Sequence, residues 1–337
     1  MPKLLIKLTP LEPYFLGGER IFDIIGDENK KDGNKHYFIR SLETPSQSVL
    51  FGALRFIGIQ NPTDSHELSA EDKVNIGENG YNLARPPEDG FGKIEGISPL
   101  YLYSEADGFL IKTPFDHRSG EETYTRFAEY SAPVMTADGE RVFPTDYDAK
   151  SGIENSWLSL DDKSIHKGLF TGVPQVGIDK KNTDKAFFKK EYKRLRDGFC
   201  FAFFAQVKEG FTPHQTKVIL GQGSTFGVEW SFDVNEPKFP KELLNPDMAY
   251  AQSDIYYEGD IRALYGSCLF VCVQTRDYKI FEKSYRTRSK TGDRVTKLIQ
   301  AGSVLMPDDA KALEGITGNK HTAVAGFNKI VFGGNVK

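Results

Sequence analysis

The sequence predicts an α+β protein, and three observations carry that expectation. Short apolar segments with a period of two, separated by glycine-marked turns, far outnumber segments with helical periodicity. One stretch, Phe199 to Val207, is apolar on both alternating sets, as a strand buried on both faces must be. Only one stretch, opening at Thr44, carries a full set of helix signals. Few helices beside many strands favour sheets covered by helices on one side.

In chain order, Leu4 to Leu8 reads as a first strand, followed by a turn at Gly17-Gly18. A polar loop from Gly26 to Lys35 precedes a short strand at Tyr37 to Arg40. Thr44-Pro45-Ser46-Gln47 has a capping residue, a proline at the first helical position and Gln three residues after the cap. Val49, Leu50, Ala53, Leu54 and Ile57 then recur at helical spacing, with Gly58 placed to end the helix. Arg55 is expected to project away from that stripe. A second helix is expected over Leu158 to Leu169. Lys217 to Leu220, Val228 to Phe232, Ser267 to Val273 and Val295 to Ile299 read as further strands, and Gly221 to Gly227 as a flexible turn. Two halves are expected, 1–150 and 151–337.

The chain has 337 residues, 39% of them hydrophobic, including 25 Phe and 15 Tyr, enough for a substantial core. No apolar run reaches the roughly 18 residues of a membrane span, and the N-terminus reads as a strand and not as a signal peptide. Three cysteines are too few for a disulfide framework, so a cytoplasmic setting is expected. Cys268 and Cys272, four apart on a strand, should share one buried face.

The net charge of −4 does not mark a nucleic-acid binder, but the charge is segregated. Val176 to Arg196 holds eight Lys/Arg against three Asp/Glu, and Tyr278 to Lys297 seven against two. Asp64 to Glu95 reverses this, with eight acids against three bases. Such a pattern fits one face for nucleic acid and another for a protein partner; an ordinary solvated surface is the alternative.

No catalytic constellation stands out. The six histidines share no metal-ligand spacing, and neither a Walker A loop nor a nucleophile elbow is present, so no metal and no cofactor are expected. Asp116-His117-Arg118 reads as a polar loop. Three segments suggest binding instead. The helix at Thr44 presents Ser46, Gln47 and backbone N–H groups at its positive end. Lys180 and Lys181 lie near the tip of a basic hairpin whose base holds Phe187 and Phe188, a pairing suited to phosphates and bases. Ala325 to Gly334 is bracketed by glycines that let backbone approach a ligand.

Leu16-Gly17-Gly18-Glu19-Arg20, Arg40-Ser41 and Thr44-Pro45-Ser46-Gln47-Ser48 through Gly52-Ala53-Leu54-Arg55 resemble the opening of the repeat-associated mysterious proteins (RAMPs) of type III CRISPR systems. Pro174-Gln175-Val176-Gly177-Ile178 and Gln300-Ala301-Gly302-Ser303-Val304-Leu305 resemble segments of the third subunit of the Cmr-type (type III-B) complex, and Gly326 to Gly334 the superfamily's glycine-rich loop. The resemblance implies tandem ferredoxin-like (RRM-like) domains with a thumb-like β-hairpin. It implies a non-catalytic antiviral-defence subunit that holds the 5′ handle of the guide RNA and packs against a large polymerase-like subunit and a backbone RAMP subunit. The RNA-binding residues it implies are Arg20, Arg40, Ser46, Gln47, Arg55, Lys180, Lys181, Gly326, Asn328 and Gly333.

Other readings stay open at this point. A RAMP endoribonuclease would use His36 and Asp32, a purely structural adaptor would touch only protein, and the chain could serve a type III-A or III-D complex.

Overall fold

Leu4, Ile6 and Leu8 alternate with Leu5 and Lys7, and the first three are fully buried in one apolar cluster while Leu5 enters a second. The strand that carries them therefore has core on both sides. The computed structural model describes residues 3–17, 20–24, 35–62, 67–83, 90–127, 134–137, 139–141, 155–178, 187–280, 294–317 and 319–334. Of the residues singled out from sequence, Asp32, Lys180 and Lys181 lie outside these.

The largest sheet has nine strands. Its centre is β1 (Lys3–Pro10), antiparallel on one side to β13 (Cys200–Val207) and on the other to β15 (Ser224–Phe232), which pairs with the edge strand β14 (Lys217–Leu220). Beyond β13 follow β5 (Tyr101–Ser104), β6 (Gly108–Lys112), β9 (Ser156–Ser159) and β10 (Ile165–Lys167), while β4 (Ile94–Ile97) joins the far end of β13. The two expected halves thus share one sheet, because β1 sits between strands of the second half.

Helix α1 (Gln47–Ile57) covers the first face of this sheet with Leu50, Phe51, Ala53, Leu54 and Ile57. Each of the Leu, Ile and Phe side chains contributes about 1.5–3 kcal/mol by leaving water. Phe239, Leu244, Met248 and Tyr250 cover part of the second face, against Leu5, Ala202 and Phe204.

A second sheet forms an arm. In it β11 (Phe170–Ile178) pairs with β12 (Phe187–Leu195), β12 runs parallel to β3 (Lys35–Arg40), and β3 pairs with β2 (Arg20–Ile24). The C-terminal part holds two smaller sheets. One orders β18 (Cys268–Cys272), β21 (Val304–Pro307), β16 (Ala249–Ala251) and β22 (Ile330–Phe332). The other orders β17 (Ile255–Tyr256), β20 (Arg294–Ile299) and β19 (Thr275–Ile280). A short antiparallel pair, β7 (Val134–Thr136) and β8 (Gly139–Arg141), forms a two-stranded sheet of its own beside β18. The remaining helices are short: α2 (Ala70–Ile76), α3 (Ile261–Gly266), α4 (Glu314–Thr317) and α5 (Lys320–Val324). The α+β class expected from sequence is the class observed, mostly antiparallel and poor in helix.

Three local expectations are corrected. The helix expected over Leu158 to Leu169 is a hairpin of β9 and β10. Ser159 and Asp162 side chains accept from turn N–H groups, and Lys163 adopts φ 63°, which no helix tolerates. Helix α1 begins two residues later than its capping box implied, with Ser46 as the cap residue and no side-chain cap bond. Cys268 and Cys272 do not share a face. A bulge between Cys268 and Phe270 shifts the register, so Cys272 packs with Tyr250 and Val304, and Cys268 with Leu264 and Leu305.

Candidate nucleic-acid interface

The N-terminal end of α1 is knitted into the protein by the residues that the sequence marked for RNA. Gln47 is 5% exposed; its Nε2 donates to the Gly326 carbonyl at 2.9 Å, and its Oε1 is buried with no hydrogen-bond partner. Gly326 has φ 80°, and a Cβ there would stand 2.7 Å from the Ser98 carbonyl oxygen. Ser46 Oγ lies 3.0 Å from Ser48 Oγ, which accepts from the Tyr278 hydroxyl at 2.7 Å.

Asn328 is 6% exposed and occupies the left-handed region at φ 59°. Its Oδ1 accepts from Tyr256 N–H at 2.7 Å, and its Nδ2 donates to the carbonyls of Tyr256 and Ile316, both at 3.0 Å. At Gly333 a Cβ would meet the Asn245 carbonyl oxygen at 2.2 Å, while Gly333 N–H donates to Met248. The backbone that these glycines let in is the chain's own. Gly326, Asn328 and Gly333 therefore have internal work, in place of the open ligand loop expected.

Arg55 is corrected in the same sense. Its Nε donates to the Ile76 carbonyl at 3.1 Å and its Nη2 to that of Gly77 at 3.0 Å, so the guanidinium closes the C-terminal end of α2. Cations are favoured there by the helix dipole. Burial lowers its pKa to about 10, which leaves it charged at neutral pH. Asp116 and His117, read as part of a polar loop, are buried; Asp116 Oδ1 accepts from the Tyr124 hydroxyl at 2.8 Å.

The arm behaves differently. Successive residues Pro174, Gln175 and Val176 of β11 are all exposed, Val176 to 67%, so both faces of this strand meet solvent. Lys189, Lys190, Lys193 and Arg194 line β12, and Arg40 lies opposite Glu191 on β3. Lys189, Arg194 and Arg40 are exposed. The backbone places Arg20 on β2 opposite Ile39. At the root, Lys190 donates to Gln222 at 3.1 Å and lies 5.5 Å over the ring of Phe15, which meets Tyr192 edge-on at 5.4 Å. Lys193 pairs with Glu191 at 2.9 Å. Gln222 belongs to the turn between β14 and β15, which is held by Gly221 and Gly223 at φ 60° and 95°.

The two ends of the second basic stretch lie on the antiparallel pair β19–β20, with Val295 60% exposed and Lys297 3.4 Å from Asp277. Both strand pairs are tied to residues 41–48, which lead into α1 and open its first turn. Tyr278 of β19 reaches Ser48, and Ser41 N–H donates to Glu191 of β12 at 2.9 Å just before the chain enters the helix. Two basic strand pairs converging on one helix end is the feature that sequence reading missed. Tyr278 opens the second basic stretch, but nothing in its spacing told that it would meet Ser48.

Among the described residues no group of His, Cys, Asp and Glu could hold a metal, and no helix is long and apolar enough to cross a membrane.

No protein-family model matches the chain, and no curated protein matches it. Solved structures do. A chain of the type III-B Cmr-beta structure bound to cognate target RNA covers 98% of this chain over 96% of its own length, with 11% identity and a TM-score of 0.53. A chain of Cmr-beta bound to cognate target RNA and AMPPnP covers 90% over 85% of its length, with 13% identity and a TM-score of 0.45. One from the Csm3–Csm4 subcomplex of the type III-A CRISPR-Cas interference complex covers 90% over 92%, with 12% identity and a TM-score of 0.39. Only the first is similar enough to establish a common architecture. The chain thus shares its fold, along nearly its whole length, with a chain of the type III-B Cmr-beta structure.

Proposed function

We propose that the chain is a non-catalytic, guide-RNA-binding and assembly subunit of a type III-B CRISPR ribonucleoprotein in antiviral defence. In this reading it holds the 5′ handle with the β11–β12 arm as its thumb. The observation that supports it most is the convergence of the two basic strand pairs on the N-terminal end of α1. Lysines and arginines spaced along a partly exposed strand suit a phosphate backbone, where each contact releases counterions. The acidic stretch around α2, with Val74 62% exposed, suits a protein neighbour, and a large polymerase-like subunit and a backbone RAMP subunit are the expected ones.

The test is binding of 5′-handle RNA at fixed salt by the wild type, by Lys180→Glu with Lys181→Glu, and by Lys189→Glu. The reading expects tight, steeply salt-dependent binding by the wild type, with a slope of about −0.7 per contacted phosphate, and marked loss in both variants without loss of folding. The same preparation should leave repeat RNA and complementary target RNA uncut. Handle affinity unchanged by both variants would refute the thumb assignment, and cleavage would restore the endoribonuclease reading.

A further inference from the structure

The cover on the second face of the large sheet stops short. An aromatic series runs along that face from Phe204 through Phe109, 5.5 Å apart, to Tyr103, 4.9 Å further on. Phe204 is deep in the core, but Tyr103 emerges on the floor of an open groove of about 690 Å³. Lys7, on the same face of β1, holds its Nζ 3.8 Å above the Tyr103 ring. Glu229, directly opposite Lys7 in the register, and Asp107 bring carboxylates to the walls. His166 and Arg196 also line the groove; Ser164 Oγ joins His166 Nε2 at 3.0 Å and donates to Asp162 at 2.7 Å.

We propose that this groove binds one nucleotide unit, supplied by an unpaired residue of the RNA strand that follows the arm. The inference rests on the RNA-binding reading above and adds a place that reading does not contain. A flat aromatic face already occupied by a cation is one that a base can take over, with Lys7 swinging to a phosphate or a base oxygen. The carboxylates accept from base N–H groups and ribose hydroxyls, and their number discourages a continuous phosphate backbone from lying in the groove. One splayed-out base fits this chemistry better than a strand does. The volume lies within the roughly 300–1,000 Å³ of small-ligand sites. Position supports the same source: Arg196 is the residue next after β12, so the basic strand of the arm leads to the groove's mouth.

The experiment irradiates the full chain bound to single-stranded RNA carrying thiouridine, then locates the cross-linked peptide by mass spectrometry. Strand affinity is measured for wild type, Tyr103→Leu and Lys7→Gln, with unfolding temperatures, and binding of uridine monophosphate is measured in parallel. The expected result is a cross-link within the peptide containing Tyr103 and strand affinity weakened about 5- to 150-fold in Tyr103→Leu, the range of one lost base stack. Lys7→Gln, which leaves the packing of Tyr103 on Phe109 intact, should weaken it in the same direction. A strand bound with unchanged affinity by both variants and cross-linked elsewhere overturns the groove while leaving the subunit reading standing. Uridine monophosphate bound in a Tyr103-dependent way by a chain that ignores the strand overturns the subunit reading and the RNA source, and keeps a nucleotide groove. Binding of neither overturns both.

Discussion

The knot at the N-terminal end of α1 and the β11–β12 arm are both rich in polar residues and use them in opposite ways. In the knot, Gln47 spends its donor on the Gly326 carbonyl, and Gly326 admits the chain's own backbone; Arg55 in the last turn of α1, and Asn328 and Gly333 in the C-terminal part, are used in the same way. On the arm, consecutive residues of β11 are exposed, and Lys189, Arg194 and Arg40 stand at the surface. A buried polar group left unpaired costs about 1–3 kcal/mol, so inside the knot the polar residues are structural by necessity. At the exposed positions of the arm that penalty is small, because water can replace a lost partner, so its cations can exchange their contacts for a ligand's at little cost. The comparison separates residues that shape the interface from residues that can touch a ligand.

The sharpest way to break the comparison is Asn328→Ala. It strips three hydrogen bonds from buried backbone groups of Tyr256 and Ile316 and leaves alanine at φ 59°. A loss of about 3 kcal/mol or more in urea unfolding is expected. A loss below about 1 kcal/mol, with RNA affinity reduced, would move Asn328 to the ligand side.

Next in size is Arg55→Ala, expected to cost about 1–3 kcal/mol of stability through the orphaned carbonyls of Ile76 and Gly77, with handle affinity unchanged. Arg55→Lys should recover only part, because an ammonium cannot fork to two carbonyls in the same way. Full stability in Arg55→Ala with weakened RNA binding would contradict the structural role.

The smallest effect sharpens the boundary between the two regions. Lys112 donates to Asn155 Oδ1, Asn155 donates to Glu43 at 2.7 Å, and Glu43 lies 4.0 Å from Lys193 of the arm. Burial lowers the Lys112 pKa from 10.5 to about 8, against the opposing pull of Glu43. Between those values the unfolded chain binds a proton that the folded chain has released, so stability should rise with pH across that window. Unfolding temperatures measured at its two ends should differ less in Lys112→Met. An undiminished slope would assign the titration to another group.

Much of the fold was legible in local pattern. The alternation in Leu4 to Leu8 and the two-faced apolar run at Phe199 to Val207 identified the two central strands, because burial acts on each strand's own periodicity. The basic hairpin was legible as charge beside aromatics. What failed did so where a distant partner decided. Ser156 to Lys167 turned back as a hairpin because β6 offered an open edge to pair with. Cys268 and Cys272 parted because a bulge fitted β18 to β21.

The sequence by itself determined the α+β class, the central strands, helix α1 and the two basic stretches, since each is set by neighbours a few residues away. The tertiary structure alone decided what Arg55 and Asn328 do, that both basic strand pairs meet at α1, and that Lys7 and Tyr103 share a groove. The physical reason is that a hydrogen bond or a ring contact is made by whatever lies within a few ångströms in space. For Asn328 and Tyr256 that neighbour is 72 residues away in the chain, and no spacing rule reaches so far.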